Sequence, residues 1–179
     1  MNIQIRLAEV EDAPVVALLG RLTFSETFGY LFEHHPEDLA KYLIATFSVA
    51  KIRQSLGQPN NHYWLAFADD LPVGYAKLKN PSEAPKLSTL RAAQIQKIYI
   101  LRDYLAQGIG LPLLQAACGL AADLNVETIW LTVLNENERA IRFYKRHGFT
   151  TLGPATFQIG VQTFNFEVLR KDLGPPAEP

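Results

Sequence analysis

Gln96-Lys97-Ile98-Tyr99-Ile100-Leu101-Arg102-Asp103-Tyr104-Leu105-Ala106-Gln107-Gly108-Ile109-Gly110-Leu111 reads as a strand, a tight turn and the opening of a helix. Glycines at 108 and 110 let the backbone adopt conformations closed to other residues and come close to a ligand. A helix begins with unpaired N–H groups and a partial positive charge, which together suit a phosphate or pyrophosphate. Pro112 is tolerated in the first turn. The stretch lacks the Gly-Lys-Ser/Thr of a P-loop and the third glycine of a dinucleotide fingerprint. On these residues alone, a plain strand-to-helix turn is the alternative.

Working outward, Thr128 to Leu134 is a β-branched and aromatic strand. Asn135 is placed to cap a helix running to Arg146, with Glu136 and Glu138 in its first turn. Gly148 suits a left-handed helix end. Two closing strands are expected, Phe149 to Leu152 and Phe157 to Leu169, the second shortened or bulged at Gly160. Upstream, Ile3, Ile5 and Leu7 alternate as a first strand. Glu11, Asp12 and Pro14 mark a helix start, and that helix continues toward Phe28. Pro36 opens a second helix through Leu39, Tyr42, Leu43 and Phe47. A third runs from Val49 to Leu56 and stops at Gly57. Tyr63 to Ala68 and Val73 to Leu78 form a hairpin across Asp69-Asp70-Leu71-Pro72. The order β, helices, β-β-β, α, β, α, β-β predicts an α/β domain with helices on both faces of a central sheet.

The segment Ile98-Tyr99-Ile100 followed by Leu105-Ala106-Gln107-Gly108-Ile109-Gly110 resembles motif A of the GNAT acetyltransferases, an apolar triplet followed by Q/R-x-x-G-x-G/A. Leu105 stands where that family usually has Gln or Arg, so a side-chain contact is lost and backbone donors remain. Ile129-Trp130-Leu131-Thr132-Val133-Leu134-Asn135-Glu136-Asn137-Glu138-Arg139-Ala140-Ile141-Arg142-Phe143-Tyr144-Lys145-Arg146-His147-Gly148-Phe149 is similar to motif B, with its N-x-x-A and F-Y-x-x-x-G-F. Leu22-Thr23-Phe24-Ser25-Glu26-Thr27-Phe28 resembles a stretch of PaiA-type spermidine/spermine acetyltransferases.

The resemblance covers nearly the whole chain. It implies the GNAT fold, a mixed and mostly antiparallel twisted sheet of about seven strands, over residues 1–173, with 174–179 a flexible tail. It implies that acetyl-CoA is held by Ile98, Tyr99, Ile100, Gln107, Gly108, Ile109, Gly110, Leu111 and Asn137, and that Tyr144 reaches the thioester sulfur. Seven residues separate Asn137 from Tyr144, about two helical turns or roughly 10 Å on one face. A phenol with a pKa near 10 suits a leaving thiolate. The plainer role for Tyr144 is a core aromatic.

The implied acceptor is a primary amine, and the PaiA likeness makes it a polyamine. A polycation asks for carboxylates, and Glu26 is the first choice, ahead of Glu33, Glu37 and Asp38. Solvated helix charges are the alternative. Many relatives carry a glutamate on the strand before the glycine turn, where it can act as the base. Gln94 and Gln96 stand there, and neither can take a proton. A water leading to Glu26 or to His34 or His35, or direct capture of the free amine, are the remaining routes. His147 suits a helix C-terminus.

The 179 residues carry a net charge of −1, with no basic excess for a nucleic-acid backbone. The single cysteine, Cys118, reads as a small buried hydrophobe, and no metal-ligand spacing is present. With no apolar run near ~18 residues and no secretory leader pattern, a cytoplasmic protein free of membrane is expected. A homodimer is the family habit. Two rival readings remain: a protein N-terminal or lysine acetyltransferase, and a CoA-sensing regulator with little catalysis.

Overall fold

The computed structural model describes residues 1–83 and 91–174. Ala84-Pro85-Lys86 of the expected loop and 175–179 of the expected tail lie outside them. The chain order is β1 (Ile3–Leu7), α1 (Ala13–Phe28), α2 (Pro36–Phe47), α3 (Val49–Leu56), β2 (Asn61–Ala68), β3 (Leu71–Lys79), β4 (Ala92–Ile100), α4 (Gly110–Asp123), β5 (Thr128–Leu134), α5 (Glu138–Arg146), β6 (Thr150–Ile159) and β7 (Gln162–Asp172). The seven strands form one sheet in the order β1-β2-β3-β4-β5-β7-β6. Pairs β1–β2, β5–β7 and β6–β7 are antiparallel, and β4–β5 is parallel. This is a mixed α/β sheet flanked by helices, as expected.

Contacts divide the chain into two compact units: Met1–Leu78 with Lys97–Ala117, and the described residues of Lys79–Gln96 with Cys118–Pro179. In the first, α1 begins beside the bidentate pair of Arg6 with Asp12, and Asp12 flanks the helix start. Aromatic rings link α1 to α2: Phe24 lies 4.7 Å from Tyr42 and 5.9 Å from Phe47, centroid to centroid. Gly20 makes room for this, because a Cβ there would sit 2.3 Å from the Phe47 ring. The β2–β3 hairpin is tighter than the expected four-residue turn. Asp69 and Asp70 both take positive φ, 46° and 68°, the geometry of a two-residue turn whose twist matches its strands. Pro72 therefore falls inside β3.

The second unit holds a core of Ala92, Trp130 and Val168, with Leu152 and Ala155 against it. The Trp130 indole donates to the Ser82 carbonyl at 2.9 Å. Two expectations are corrected here. The break at Gly160 is a hairpin turn, so the last strand is shortened there rather than bulged: Gly160 has φ 58° and Ile159 pairs with Gln162. Phe157 thus belongs to β6, opposite Phe164, and the register shift lies instead between Thr151 and Gly153. The cap of α5 is Asn137, whose Oδ1 accepts from Ala140 N at 3.1 Å. Asn135 lies just past the end of β5 and donates its N–H to Asn165 O on β7.

Candidate functional site

The first unit supplies a strand-turn-helix arm built from main chain. β4 ends at Ile100, and Leu101 N–H bonds back to Val73 O on β3. A short 3-10 turn at Arg102–Tyr104 follows. Ala106 and Gly108 then take left-handed φ of 66° and 81°. Alternating hand turns successive N–H groups toward one side, the geometry of an anion-binding concavity. Residues 106–108 are exposed, while Ile109 is buried and anchors the loop. α4 starts at Gly110, so the N–H groups of Ile109, Gly110 and Leu111 have no helical partner. Exposed donors on an anchored loop fit a pyrophosphate.

Gln107 Nε2 donates to Asp103 O at 2.8 Å and closes the turn. Tyr99 turns its ring toward Phe28 and Tyr75, at 6.3 and 5.8 Å. What Ile98, Tyr99 and Ile100 offer along the strand is therefore chiefly backbone. That backbone is held closely by β3, because a Cβ on Gly74 would lie 2.7 Å from Tyr99 O. Gly74 was not singled out in the sequence, although a glycine inside a strand signals close backbone approach.

Glu26 sits at the end of α1, in the same unit. Its Oε2 accepts from Arg102 N at 2.9 Å, and Arg102 Nη2 donates to Glu26 O at 2.5 Å. This carboxylate fastens the turn after β4. Glu33, His34 and Glu37 are exposed, and His35 flanks the start of α2. Lys97, which drew no attention in the sequence, is the unusual cation. Its ammonium lies 5.0 Å from the Phe47 ring centroid and 5.4 Å from that of Tyr99. Burial, and then the charge of Lys77, bring its pKa down to about 8. A lysine within an apolar strand was the available signal.

The second unit supplies α5. Asn137 caps it with Oδ1, leaving Nδ2 as the group suited to a ligand. Because Asn137 is the cap, with φ −85° and ψ 62°, the helical face begins one residue later than the seven-residue spacing assumed. Tyr144 is buried, its ring 5.2 Å from Phe143 and 5.5 Å from Phe149. Burial raises the phenol's pKa far above its ordinary value, so it stays protonated. His147 ends the helix, and Gly148 follows with φ 88°. On β4, Gln96 Nε2 donates to Gln94 Oε1 at 3.1 Å, and Ser82 Oγ donates to the same oxygen at 3.4 Å. Among the described residues no cluster suited to a metal ion occurs, and no helix is long and apolar enough to cross a membrane.

Comparison with known proteins gives a consistent set of likenesses. The model of the acetyltransferase (GNAT) family matches residues 23–149. An uncharacterised N-acetyltransferase of Lactobacillus delbrueckii is 27% identical, over 91% of this chain and 93% of that protein. An N-alpha-acetyltransferase of Saccharolobus solfataricus is 28% identical, over 81% of this chain and 78% of that protein. The fold matches the crystal structure of the PaiA N-acetyltransferase of Thermoplasma acidophilum in complex with coenzyme A. Its TM-score is 0.76 at 20% identity, over 96% of this chain and 99% of that one.

Proposed function

We propose, from the premise that this chain belongs to the GNAT acetyltransferase family, that it moves acetyl from acetyl-CoA to a primary amine by direct attack in a ternary complex. That it is an acetyl-CoA-dependent N-acyltransferase follows from the family. Residues 1–173 would act as one catalytic domain. The observation that carries the mechanism is the buried phenol of Tyr144 on the helix that Asn137 caps.

The amine nitrogen bonds to the thioester carbon, the C–S bond breaks, and the sulfur leaves with the electron pair. The amine loses a proton and the sulfur gains one. Burial keeps the phenol protonated and also makes it a weaker acid. We assign Tyr144 to the leaving sulfur as general acid, through a hydrogen bond that strengthens as charge develops on sulfur, and leave the amine's proton to another group. General acid assistance is worth ~10²–10⁴-fold. The pyrophosphate rests on the main chain of Gln107, Gly108, Ile109, Gly110 and Leu111, and the acyl arm on Ile98, Tyr99 and Ile100. Asn137 Nδ2 steadies the same cosubstrate.

For the acceptor, a polyamine is supported by the likeness of residues 22–28. Its main anchor is weakened, since one oxygen of Glu26 is taken by Arg102. An α-amine is the second reading, favoured by the N-alpha-acetyltransferase relative and by proton energetics. Freeing an alkyl amine of pKa ~10.4 at pH 7 costs about 4–5 kcal/mol, against about 1 kcal/mol for an α-amine of pKa ~7.7–8.0. No strong base is then needed, consistent with the paired Gln94 and Gln96. Thiol release from acetyl-CoA with spermidine, spermine, free amino acids and peptides decides between them. Saturable release with one class identifies the acceptor. Silence with every amine, despite acetyl-CoA binding, would favour a CoA-sensing regulator.

A further inference from the structure

Lys97 immediately precedes the triplet proposed to carry the acyl arm. Among the described residues no hydrogen bond or ion pair reaches its ammonium; it rests only on the ring faces of Phe47 and Tyr99. Taking a cation partly out of water costs free energy unless an acceptor replaces the lost hydration. The charge that bears on it here is another cation, Lys77 of β3, which makes the deficit larger.

A second observation points the same way. Tyr75 lies two residues before Lys77, on the same face of β3. It is fully buried, packs edge-on against Tyr99 at 5.8 Å, and its hydroxyl has no hydrogen-bond partner among the described residues. A wholly buried hydroxyl without a partner is uncommon in a folded protein. Tyr63 and Tyr42 are the other titratable groups bearing on Tyr75. Tyr63 already bonds Ser55 Oγ at 2.7 Å. The layer thus holds donors in want of an acceptor, with the open one at Lys97.

We propose that Lys97, backed by Tyr75, receives the carboxylate of the acceptor, so that the substrate is an amine bearing a carboxylate, a free amino acid, rather than a polycation. This rests on the acetyl-transfer reading above and deepens it. In an α-amino acid the amine and the carboxylate share one carbon, so a carboxylate anchored at residue 97 brings the amine to the strand that carries the thioester. A polyamine would meet two ammonium groups on this face. Lysine serves here as a point charge; arginine offers the same charge and cannot act as a base.

The test is thiol release with matched pairs: amino acids and the same amines lacking the carboxylate, with spermidine alongside. The expected kcat/KM is at least tenfold higher for the amino acid. Lys97→Met should collapse that ratio at least tenfold, and Lys97→Arg should keep most of it. A carboxylic acid of the same side chain, without the amine, should compete with the acceptor in the unaltered protein, which needs no variant to fold. Equal use of the pairs, preference for spermidine, no competition by the acid, or a ratio that survives Lys97→Met each overturns the proposal. Lys97→Arg losing as much as Lys97→Met also overturns it, by making Lys97 a proton acceptor. Release from every amine without preference sinks this inference alone. Silence on all amines removes the acetyl-transfer reading and this inference together.

Discussion

In the proposed mechanism, the arm from β4 to α4 and the helix α5 are assigned to acetyl-CoA by opposite means. The arm offers main-chain N–H groups set by left-handed Ala106 and Gly108, and its side chains are occupied elsewhere: Gln107 on Asp103, Tyr99 among rings. The helix offers two side chains, Asn137 and Tyr144, and its main chain is ordinary. A site made of backbone tolerates side-chain change and fails when its path is bent. A site made of side chains fails at single atoms. This accounts for an arm that keeps its geometry with Leu105 where the family has Gln or Arg.

The largest effect should come from a single oxygen. Tyr144→Phe removes the hydroxyl and keeps the ring against Phe143 and Phe149. Turnover should fall at least tenfold, and toward ~10²-fold if proton donation limits the rate. Acetyl-CoA affinity, read by calorimetry, should barely change. Because burial holds the phenol protonated, the unaltered enzyme should show no loss of rate from Tyr144 ionising as pH rises toward 10. An unchanged rate in the variant would remove Tyr144 from the mechanism.

Next in size is a change that bends the arm without touching its ligand groups. Gly74→Ala puts a Cβ 2.7 Å from Tyr99 O and 3.2 Å from Ile100 Cα. Both are backbone atoms, so the strand itself must move. Overpacking of this kind costs about 1–3 kcal/mol. Thermal unfolding should show that loss, and acetyl-CoA should bind more weakly in the variant that still folds. Normal affinity would mean that β4 is not held in place by β3.

Both halves of this comparison are legible in the sequence, to different depths. The glycines of the arm and the Asn-x-x-Ala of the helix are local signals, and each forms the element it announces. What escaped is non-local. Asn135 and Asn137 are equal candidates by type, and only the bond from Asn135 N to Asn165 O, which holds the first against β7 just past the end of β5, passes the cap to the second. Glu26 meets Arg102 across 76 residues of sequence. Lys97 looks like an ordinary strand cation until Phe47, brought over by α2, closes its ring on it. A turn and a bulge at Gly160 look alike in the sequence because both place a left-handed glycine between extended segments; the pairing of Ile159 with Gln162 decides for the turn.

A smaller effect separates cap from contact on α5. Asn137→Ala loses the bond to Ala140 N, and loss of an N-cap costs about 0.5–2 kcal/mol of stability. Asn137→Asp keeps an acceptor for the cap and removes the Nδ2 donor. The aspartate variant should retain its melting temperature and still lose acetyl-CoA affinity. If the two variants bind acetyl-CoA as well as the unaltered chain, the second half of the comparison reduces to Tyr144 alone.

The smallest effect is a gain. Leu105→Arg supplies the side chain that the family usually has beside the turn. If the main chain of residues 107–111 already holds the pyrophosphate, one further charge near an exposed helix start adds only about 0.3–1 kcal/mol. That is roughly a two- to fivefold tightening of acetyl-CoA binding, and added salt should erase it, since the Debye length shrinks to about 3 Å at 1 M. A gain of a hundredfold would show that the backbone cradle is weak without its side chain. The contrast between an arm of main chain and a helix of side chains would then fail, because both ends of the cosubstrate would depend on single residues.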